Sequence, residues 1–528
     1  MSIRQRWPRP AGRPRRGHIA VPSLVAGAGL ALSLPPWGFW ILAFPAAGLA
    51  WWRLEGLGRK SRLLAGWLVG LGLFLPGLWW STSFNLYGGI LLICIEALAI
   101  AVACGMAPSR RGRSIALPGA MVLLEALRDS WPFGGLPLGS VALGQIGGPL
   151  GRAARLGGPL LLVGLVWLGG AVLGMLAVTA SQEWHHHRRR LPSGALAGTA
   201  VVVLVVAFAA IAPNGGSPVG TLRVAAVQGG GLRGLRKFQV NPAIVFHRQV
   251  EATAEIPAVD HGRPPALVLW PEDVVSVVGL LADSPDYGIL SNLARKLHAT
   301  LVVGVTETVS STHFRNEVVA FAPDGQVVAH YEKVHRVPFG EYVPYRSFFS
   351  HLANLSAVPL NAIPGHGNGV LHTPAGTLGT MISFEVFFSH RGRLPTRNGA
   401  TVLIVPTNDA SYSTSQVPTQ EIAASRLQAM SEGRDLIQAA PTGFSAFINH
   451  HGAVLQRTSL GARQVIVRDV SLRTGKTIYE RFGELPVLLL AGMAVLAGWA
   501  IAAIAPGDTS KRHSALKTKS RHGRLGTG

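Results

Sequence analysis

Long apolar segments separated by short basic segments make up most of the first 212 residues of the chain, and one further apolar segment lies near its end. About 20 consecutive apolar residues are enough to span a bilayer as a helix. The second and fifth segments are short or contain proline. The pattern predicts a polytopic α-helical membrane protein with about eight spans. The segments are Ala20–Leu34, Trp37–Trp52, Leu63–Trp80, Gly88–Met106, Ser114–Leu127, Pro159–Ala180, Gly194–Ala212 and Leu485–Ala505.

The region between the seventh and eighth segments has a different pattern, in which short β-branched runs alternate with helical periodicity. This alternation predicts an α/β domain with buried sheets and helices outside them. We therefore divide the chain into a basic tail (1–18), a seven-span membrane domain (19–212), a globular domain (213–482), an eighth span (483–506) and a second basic tail (507–528). The predicted strands are Leu222–Val227, Ala266–Trp270, Leu301–Val305, Glu317–Phe321, Gln326–Tyr331, Leu378–Ile382, Val402–Val405, Phe444–Ile448 and Val465–Val467. The predicted helices are Ile244–Ala254, Ile289–His298 and Thr419–Ser431.

Composition and charge agree with a membrane protein and orient it. Hydrophobic residues make up 48% of the chain and charged residues only 14%, which excludes a single ordinary soluble domain. The net charge is +22, but 22 of the basic residues, with only three acidic ones, lie in the two tails and in the loops after the second, fourth and sixth spans. All these segments fall on one side of an eight-span topology, which the positive-inside rule makes cytoplasmic. The charge therefore predicts cytoplasmic termini and an extracytoplasmic globular domain, and it does not indicate nucleic-acid binding.

Three predicted strands of the globular domain end in side chains that could do chemistry. Glu272 follows the strand that ends at Trp270, and Ser383 with Glu385 follows another. Lys333 follows a third strand and enters a loop that contains Glu341. Each has a simpler interpretation when taken alone, as a helix-capping acid, a solvated basic loop or a helix N-cap serine. Together they provide a carboxylate base, a cation for an oxyanion and a nucleophile at a strand-to-helix turn.

The order and spacing of these residues resemble the Glu–Lys–Cys triad of the nitrilase (carbon–nitrogen hydrolase) superfamily. With spans on both sides, the chain resembles the apolipoprotein N-acyltransferase family over nearly its full length. The resemblance also rests on four short motifs and implies an αββα sandwich for the globular domain. The motifs are Trp131–Pro137 (WPFGGLP), Val227–Gly229 (VQG), Val337–Pro344 (VPFGEYVP) and Thr407–Ala410 (TNDA).

The resemblance implies a two-step acyl transfer without a metal or cofactor. An acyl chain moves from a membrane phospholipid to the enzyme's nucleophile and then to the N-terminal amine of a diacylglyceryl-cysteine lipoprotein. In that scheme Glu272 is the general base, Lys333 stabilises the tetrahedral intermediate, Ser383 occupies the nucleophile position, and Glu341 and Glu385 support the site. The resemblance also implies that the protein is located in the bacterial inner membrane.

The chain departs from the family at the nucleophile, where the family's Cys-Tyr-Glu is replaced by Ser383-Phe384-Glu385. The only two cysteines, Cys94 and Cys104, lie in one apolar segment far from this position. A serine hydroxyl needs a stronger adjacent base than a thiol does. Three hypotheses remain open: an acyltransferase that uses Ser383, a weak or inactive homologue that binds lipids or lipoproteins, and a membrane-tethered amidase-like hydrolase. Ser411-Tyr412 also replaces a pair that is often Trp-Phe in the family.

Overall fold

The structure, a computed structural model, describes residues 17–186, 192–231, 240–351, 354–356, 358–412 and 415–504. Apart from residues 17 and 18, the two predicted basic tails lie outside the described residues, and so do all three basic residues after the sixth span, Arg188, Arg189 and Arg190. The boundaries of the tails therefore stay predictions.

A helix covers most of each of the eight predicted apolar segments. Within the described ranges, five helices are long and apolar enough to cross a membrane, whereas α1, α2 and α5 fall below that limit. The number of spans therefore stays a prediction. Helix α7 is broken at Gly157 and Gly158, so its regular part begins at Pro159, where the sixth apolar segment begins. The helices up to residue 211 are α1 Gly17–Leu32, α2 Ala43–Arg53, α3 Arg59–Leu78, α4 Leu86–Met106, α5 Arg113–Arg128, α6 Val141–Gly144, α7 Ala154–His186 and α8 Ser193–Ile211.

The globular region contains two β-sheets. The strands are β1 Gly220–Gln228, β2 Leu267–Leu269, β3 Val275–Val278, β4 Thr300–Thr308, β5 His313–Phe321, β6 Val327–Glu332, β7 Asn361–Ala362, β8 Val370–Thr373, β9 Gly376–Thr380, β10 Val402–Pro406, β11 Leu436–Ala439, β12 Ala446–Ile448, β13 Val454–Arg457 and β14 Gln464–Leu472. The first sheet has the order β14-β1-β2-β4-β5-β6, with β3 beside β4 and β7 beside β5. The second has the order β13-β12-β11-β10-β9-β8.

The remaining helices are α9 Pro242–Thr253, α10 Ile256–Val259, α11 Pro285–Leu297, α12 Arg346–Phe349, α13 Ser389–Arg397, α14 Val417–Glu432, α15 Ile478–Phe482 and the final apolar helix α16 Leu485–Ile504. Of these helices, α9, α10, α11, α13 and α14 pack against the sheets, whereas α16 packs against α5 of the membrane domain. The inner faces of both sheets form one apolar core, because alternate side chains of each strand point into it. A second core lies between the first sheet and α9 and α11. This arrangement confirms the predicted αββα nitrilase-like sandwich.

The outer face of the second sheet is joined to the membrane domain through α14. Apolar residues of α14 belong to the same core as residues of α5, α6 and α7. Polar contacts fix the position of the helix: the Gln420 side chain accepts from the Gly139 amide at 3.1 Å, and Gln416 donates to the Pro76 carbonyl at 2.6 Å. The sandwich therefore rests on the apolar helices with α14 between them.

Candidate active site

The predicted site residues follow strands that end at one edge of the sandwich. Glu272 follows β2 and Lys333 follows β6. Strand β2 is parallel to β4, and both β4 and β6 are antiparallel to β5, so β2 and β6 run in the same direction. Ser383 follows β9, which is parallel to β10 in the second sheet. The backbone amide of Glu272 donates to the carbonyl of Thr407, after β10, at 3.3 Å. The strand ends of the two sheets therefore meet at this edge.

Glu272, Lys333 and Glu341 form a compact ion cluster. The Nζ atom of Lys333 lies 2.8 Å from Oε1 of Glu272 and 2.8 Å from Oε1 of Glu341. Asn316, on β5, donates to the same two carboxylate oxygens at 2.7 and 2.9 Å. Glu272 and Lys333 are only 5% and 2% exposed. Two carboxylates are thus held by one cation and one amide in a space with little water.

The burial of this cluster changes its proton affinities. Burial is the largest influence on Glu272 and raises the pKa of its carboxyl; Lys333 opposes this effect, and Glu341 reinforces it. Burial alone would lower the pKa of Lys333, but Glu272 and Glu341 together hold that pKa above its ordinary value. Lys333 therefore stays cationic at neutral pH. Glu272 is a stronger base than a solvated glutamate, as a general base must be.

Ser383 begins a short 3₁₀ turn, Ser383–Phe387, directly after the β9 strand end. Its φ angle is +50°, a conformation that non-glycine residues rarely adopt and that costs on the order of 1–3 kcal/mol. Such turns expose a nucleophile beside backbone amides that can hold an oxyanion. Among the described residues, no side chain or backbone group is hydrogen-bonded to the Ser383 hydroxyl.

Glu385 connects this turn to the loop that follows Lys333. Its carboxylate is fully buried and accepts from the amides of Ile382, Val334 and His335 at 2.9, 2.9 and 3.0 Å. It also accepts from the hydroxyl of Tyr331, the residue two before Lys333, at 2.9 Å. The predicted supporting role of Glu385 therefore has a physical form, because one carboxylate fixes the Ser383 turn relative to the strand that carries Lys333.

Aromatic side chains from both domains surround the site. Tyr412, in the loop after β10, packs against Trp80 and Phe84 of the membrane domain, with ring centroids 5.1 and 5.4 Å apart. Burial raises the pKa of Tyr412 to about 12, and the charges of Glu341, Lys333 and Glu272 also act on it. Tyr412 thus lies between the ion cluster and the membrane helices. In the Ser411-Tyr412 pair, the tyrosine therefore makes an aromatic contact with the membrane domain.

Two of the motifs that carried the resemblance meet at the same edge. The hydroxyl of Tyr342 donates to the carbonyl of Phe133 at 3.0 Å, and the rings of Phe133 and Phe339 are 5.9 Å apart. Tyr345, which is 75% exposed, lies 6.2 Å from Phe133. The membrane-domain motif and the loop after Lys333 therefore form one aromatic surface beside the site.

The sequence analysis missed Asn316, which holds both carboxylates of the cluster. In the sequence, Asn316 is a single polar residue at the point where β5 becomes buried. Polar residues are also common on the solvent face of a strand, so this position alone did not indicate a functional role. Within the described ranges no group of three His, Cys, Asp or Glu side chains is arranged to hold a metal ion.

Comparison with known proteins places both halves of the chain in one family. The family models for the apolipoprotein N-acyltransferase N-terminal domain and for carbon–nitrogen hydrolases match residues 26–172 and 223–479. The apolipoprotein N-acyltransferase of Mycolicibacterium smegmatis is 31% identical, with 90% of this chain and 84% of that protein covered. That of Geobacter metallireducens is 28% identical, with 92% and 96% covered.

Solved structures that are similar to this chain cover about half of it. The nitrilase-superfamily protein Nit3 of Saccharomyces cerevisiae is 20% identical with a TM-score of 0.38, and 48% of this chain and 91% of Nit3 are covered. The sequence relationship extends over both domains, and by it the chain belongs to the apolipoprotein N-acyltransferase family of bacterial membrane acyltransferases.

Proposed function

We propose that this chain transfers an acyl chain from a membrane phospholipid to the N-terminal amine of a diacylglyceryl-cysteine lipoprotein, through an acyl ester on Ser383. The observation that carries the proposal is the positive φ angle of Ser383 in a turn that Glu385 ties to the strand of Lys333. A strained conformation is kept only where the surrounding structure imposes it. A serine that served only as a helix cap would need neither the strain nor the buried carboxylate.

In the proposed first step, Glu272 takes the proton of the Ser383 hydroxyl as Oγ attacks the ester carbonyl of the phospholipid. The oxyanion is stabilised by the ammonium group of Lys333. The C–O bond to the glycerol oxygen then breaks, and that oxygen takes the proton from Glu272 and leaves as a lysophospholipid.

In the second step, the lipoprotein amine attacks the acyl ester and Glu272 takes a proton from it. The bond between the acyl carbon and Ser383 Oγ then breaks, and Oγ recovers its proton from Glu272, which restores both groups. Burial, which raises the pKa of Glu272, supports both proton transfers.

A second candidate is a weak or inactive homologue that binds lipids or lipoproteins. The observation that favours it is the lack of a hydrogen bond to the Ser383 hydroxyl in the described part of the chain, while Glu272 and Lys333 are bound to each other. The hydrolase hypothesis has no comparable support, because the family match extends through the membrane domain.

Mass spectrometry of the peptide that contains Ser383 distinguishes the two candidates. After incubation with phosphatidylethanolamine without an acceptor, we expect this peptide to gain the mass of one acyl chain, and the Ser383→Ala variant to gain none. Acylated lipoprotein formed equally by wild type and Ser383→Ala would contradict the nucleophile assignment. A lipid-binding protein with neither acyl peptide nor acylated lipoprotein would support the second candidate.

We also propose that the sandwich lies on the outer side of the membrane. The support is the 22 basic residues that the sequence places on the opposite side. A reporter inserted near Asn214 is expected to be active only outside the cytoplasm, and one fused after Ala505 only inside it. The opposite pattern would place the site in the cytoplasm, where exported lipoproteins do not meet it.

A further inference from the structure

The backbone that carries the proposed general base is an irregular part of the first sheet. Strands β2 and β3 both pair with β4, and the base lies between them. Leu269 lies opposite Val302 and Val275 lies opposite Val305, so six steps along one strand cover only three steps along β4. The surplus residues form a bulge over positions 270–274. Bulges next to active sites change the direction in which a side chain points.

Strand β4 approaches this bulge so closely that only glycine fits at position 304. The amide of Gly304 donates to the carbonyl of Pro271 at 3.2 Å. A Cβ atom on residue 304 would lie 2.4 Å from the Pro271 oxygen and 2.5 Å from the Cα atom of Glu272. The first half of the bulge is therefore fixed by backbone contacts with β4.

The next residue, Asp273, has a left-handed backbone conformation. Its φ angle is +57°, and it is only 7% exposed. Aspartate enters this region more readily than most residues, because its short side chain can form hydrogen bonds nearby. Here the carboxylate also bonds to distant segments. It accepts from the hydroxyl of Thr306, on β4, at 2.6 Å and from the side-chain amide of Asn408, after β10, at 3.4 Å. Tertiary contacts therefore support the left-handed conformation.

Thr306 and Asn316 hold the two neighbouring acids from adjacent strands. They lie directly opposite each other on β4 and β5, so their side chains are on the same face of the sheet. Both are buried. Asn316 donates to the carboxylate of Glu272, and Thr306 donates to that of Asp273. One pair of opposite residues thus contacts both acids of the bulge.

Positive φ angles are concentrated at this edge of the sandwich. Among the described residues, seven other than glycine have a positive φ angle, and five of these belong to the edge that carries the site. The other two, His261 and His298, precede β2 and β4 and so lie at the opposite edge. Such conformations persist where the surrounding structure imposes them, and they collect at functional sites. The five are Phe133, Asp273, Phe339, Tyr345 and Ser383.

We propose that Asp273 is a positioning residue for the general base. The Thr306 hydroxyl holds the Asp273 carboxylate, and this contact keeps the bulge in the conformation that directs Glu272 towards Lys333. The general-base role of Glu272 rests on the proposed function. Asp273 acts through the backbone that it shares with Glu272 and takes no proton from the substrate. An aspartate that only stabilised a local turn would not need a buried partner on β4.

Urea unfolding of the detergent-solubilised chain tests this contact without any turnover. Asp273→Ala is expected to lower the urea midpoint, because it removes the carboxylate and leaves an alanine in the left-handed region. Asp273→Asn removes the same charge but keeps an acceptor for Thr306, so it is expected to recover most of this loss. His298→Ala is the matched control for the backbone, because His298 has a φ angle of +48° and is exposed at the end of α11.

Variants of the partner test the anchor itself. Thr306→Val removes the hydroxyl but keeps a β-branched side chain, and it is expected to lower the midpoint, whereas Thr306→Ser keeps the hydroxyl and is expected to recover most of the loss. Combined with Asp273→Ala, Thr306→Val is expected to add less than its own shift, because residues in contact are not additive. Full additivity of these two substitutions overturns the proposal.

A cycle with the ion pair shows whether the contact acts on Glu272. In the Lys333→Met/Glu272→Gln background there is no ion pair between these two positions to lose. The extra shift of Asp273→Ala relative to Asp273→Asn is therefore expected to fall to about half or less of its value in wild type. The shift of His298→Ala is expected to be equal in both backgrounds, because distant sites are additive. An extra shift of Asp273→Ala that is equal in both backgrounds overturns the proposal.

The rate at which the peptide with Ser383 gains an acyl chain tests the consequence for the chemistry. With saturating phosphatidylethanolamine, Asp273→Ala is expected to slow this step on the order of a hundredfold, because a small misplacement of a catalytic group has an effect of that size. The lipid concentration that gives half the maximal rate is expected to change by less than about threefold, since the base acts in the chemical step. Asp273→Asn is expected to recover most of the rate, and His298→Ala to leave it unchanged.

The outcomes of the rate and unfolding measurements are distinguishable. An Asp273→Ala protein as fast as wild type, or an Asp273→Asn protein as slow as Asp273→Ala, overturns the positioning role. A wild-type protein that never forms the acyl peptide contradicts the proposed function alone. In that case the unfolding cycle still decides whether Asp273 holds Glu272 against Lys333.

Discussion

The Ser383→Cys variant is expected to N-acylate lipoproteins on the order of a hundredfold faster than wild type, because a thiol is partly ionised at neutral pH and is a far better nucleophile than a hydroxyl. The substitution keeps the strand end, the turn and the buried Glu385. It adds little volume at a position that is already half-exposed. The measurement is the initial rate of acyl transfer to a diacylglyceryl peptide, together with the mass of the thioester on the peptide that contains position 383.

Ser383→Ala is the control for this prediction, because it removes the nucleophile while leaving the turn in place. We expect it to be inert. A different result is that Ser383→Cys does not exceed wild type while Ser383→Ala abolishes measurable wild-type activity. That result would mean that the site is adapted to a serine nucleophile, which depends on its general base, Glu272, more strongly than a thiol does. If all three proteins are inert but still bind phospholipid vesicles, the acyltransferase proposal fails for this chain.

The sequence predicted the architecture well because its strongest patterns are those that burial imposes. Helices cover most of each of the eight apolar segments, and the nine predicted strands all overlap strands of the sandwich. The missed strands are short or have weak alternation. For example, β11 (Leu436–Ala439) contains Gln438 at a buried position, where the glutamine contacts Glu421 and the carbonyl of Phe444. A polar residue with buried partners cannot be distinguished from a loop residue by periodicity.

The sequence predicted only those residues of the candidate site that directly follow a recognisable strand. Glu272, Lys333 and Ser383 each follow a recognisable strand, and the family resemblance supplied their roles. Contacts between distant segments leave no local pattern, so Asn316 was not found. The positive φ angle of Ser383 could not be predicted from the sequence either, because tertiary contacts such as those of Glu385 determine that backbone conformation.

Replacement of Lys333 by methionine is expected to abolish acyl transfer and also to destabilise the fold. Methionine has a similar length but no charge, so Glu272 and Glu341 would lose the cation that lies 2.8 Å from each. Removing one partner of a buried ion pair costs about 3–5 kcal/mol, because the remaining charge is not compensated. The free energy of unfolding and the rate of lipoprotein acylation should both fall, the rate by on the order of a thousandfold.

The destabilisation should depend on pH with a definite sign. Without Lys333, the burial that raises the pKa of Glu272 would lose the cation that opposes it, so the carboxyl of Glu272 would hold a proton in the folded state that it releases in the unfolded state above about pH 4.5. Because the folded state then binds more protons, the free energy of unfolding of Lys333→Met should fall as pH rises from 5 to 8. The measurement is the urea midpoint of the detergent-solubilised protein at each pH.

The double variant Lys333→Met/Glu272→Gln separates the two roles of this lysine. It removes one charge of each sign, so the remaining carboxylate, Glu341, still accepts from Asn316 and from the amide of Val337. We expect it to recover most of the stability that Lys333→Met loses and to have a flatter pH dependence. It should still be inert, because both the oxyanion partner and the base are absent. Recovery of acyl transfer in the double variant would mean that neither residue acts in the chemical step. A loss of stability as large as that of Lys333→Met would mean that the lysine acts through packing, since the charge imbalance would have been removed.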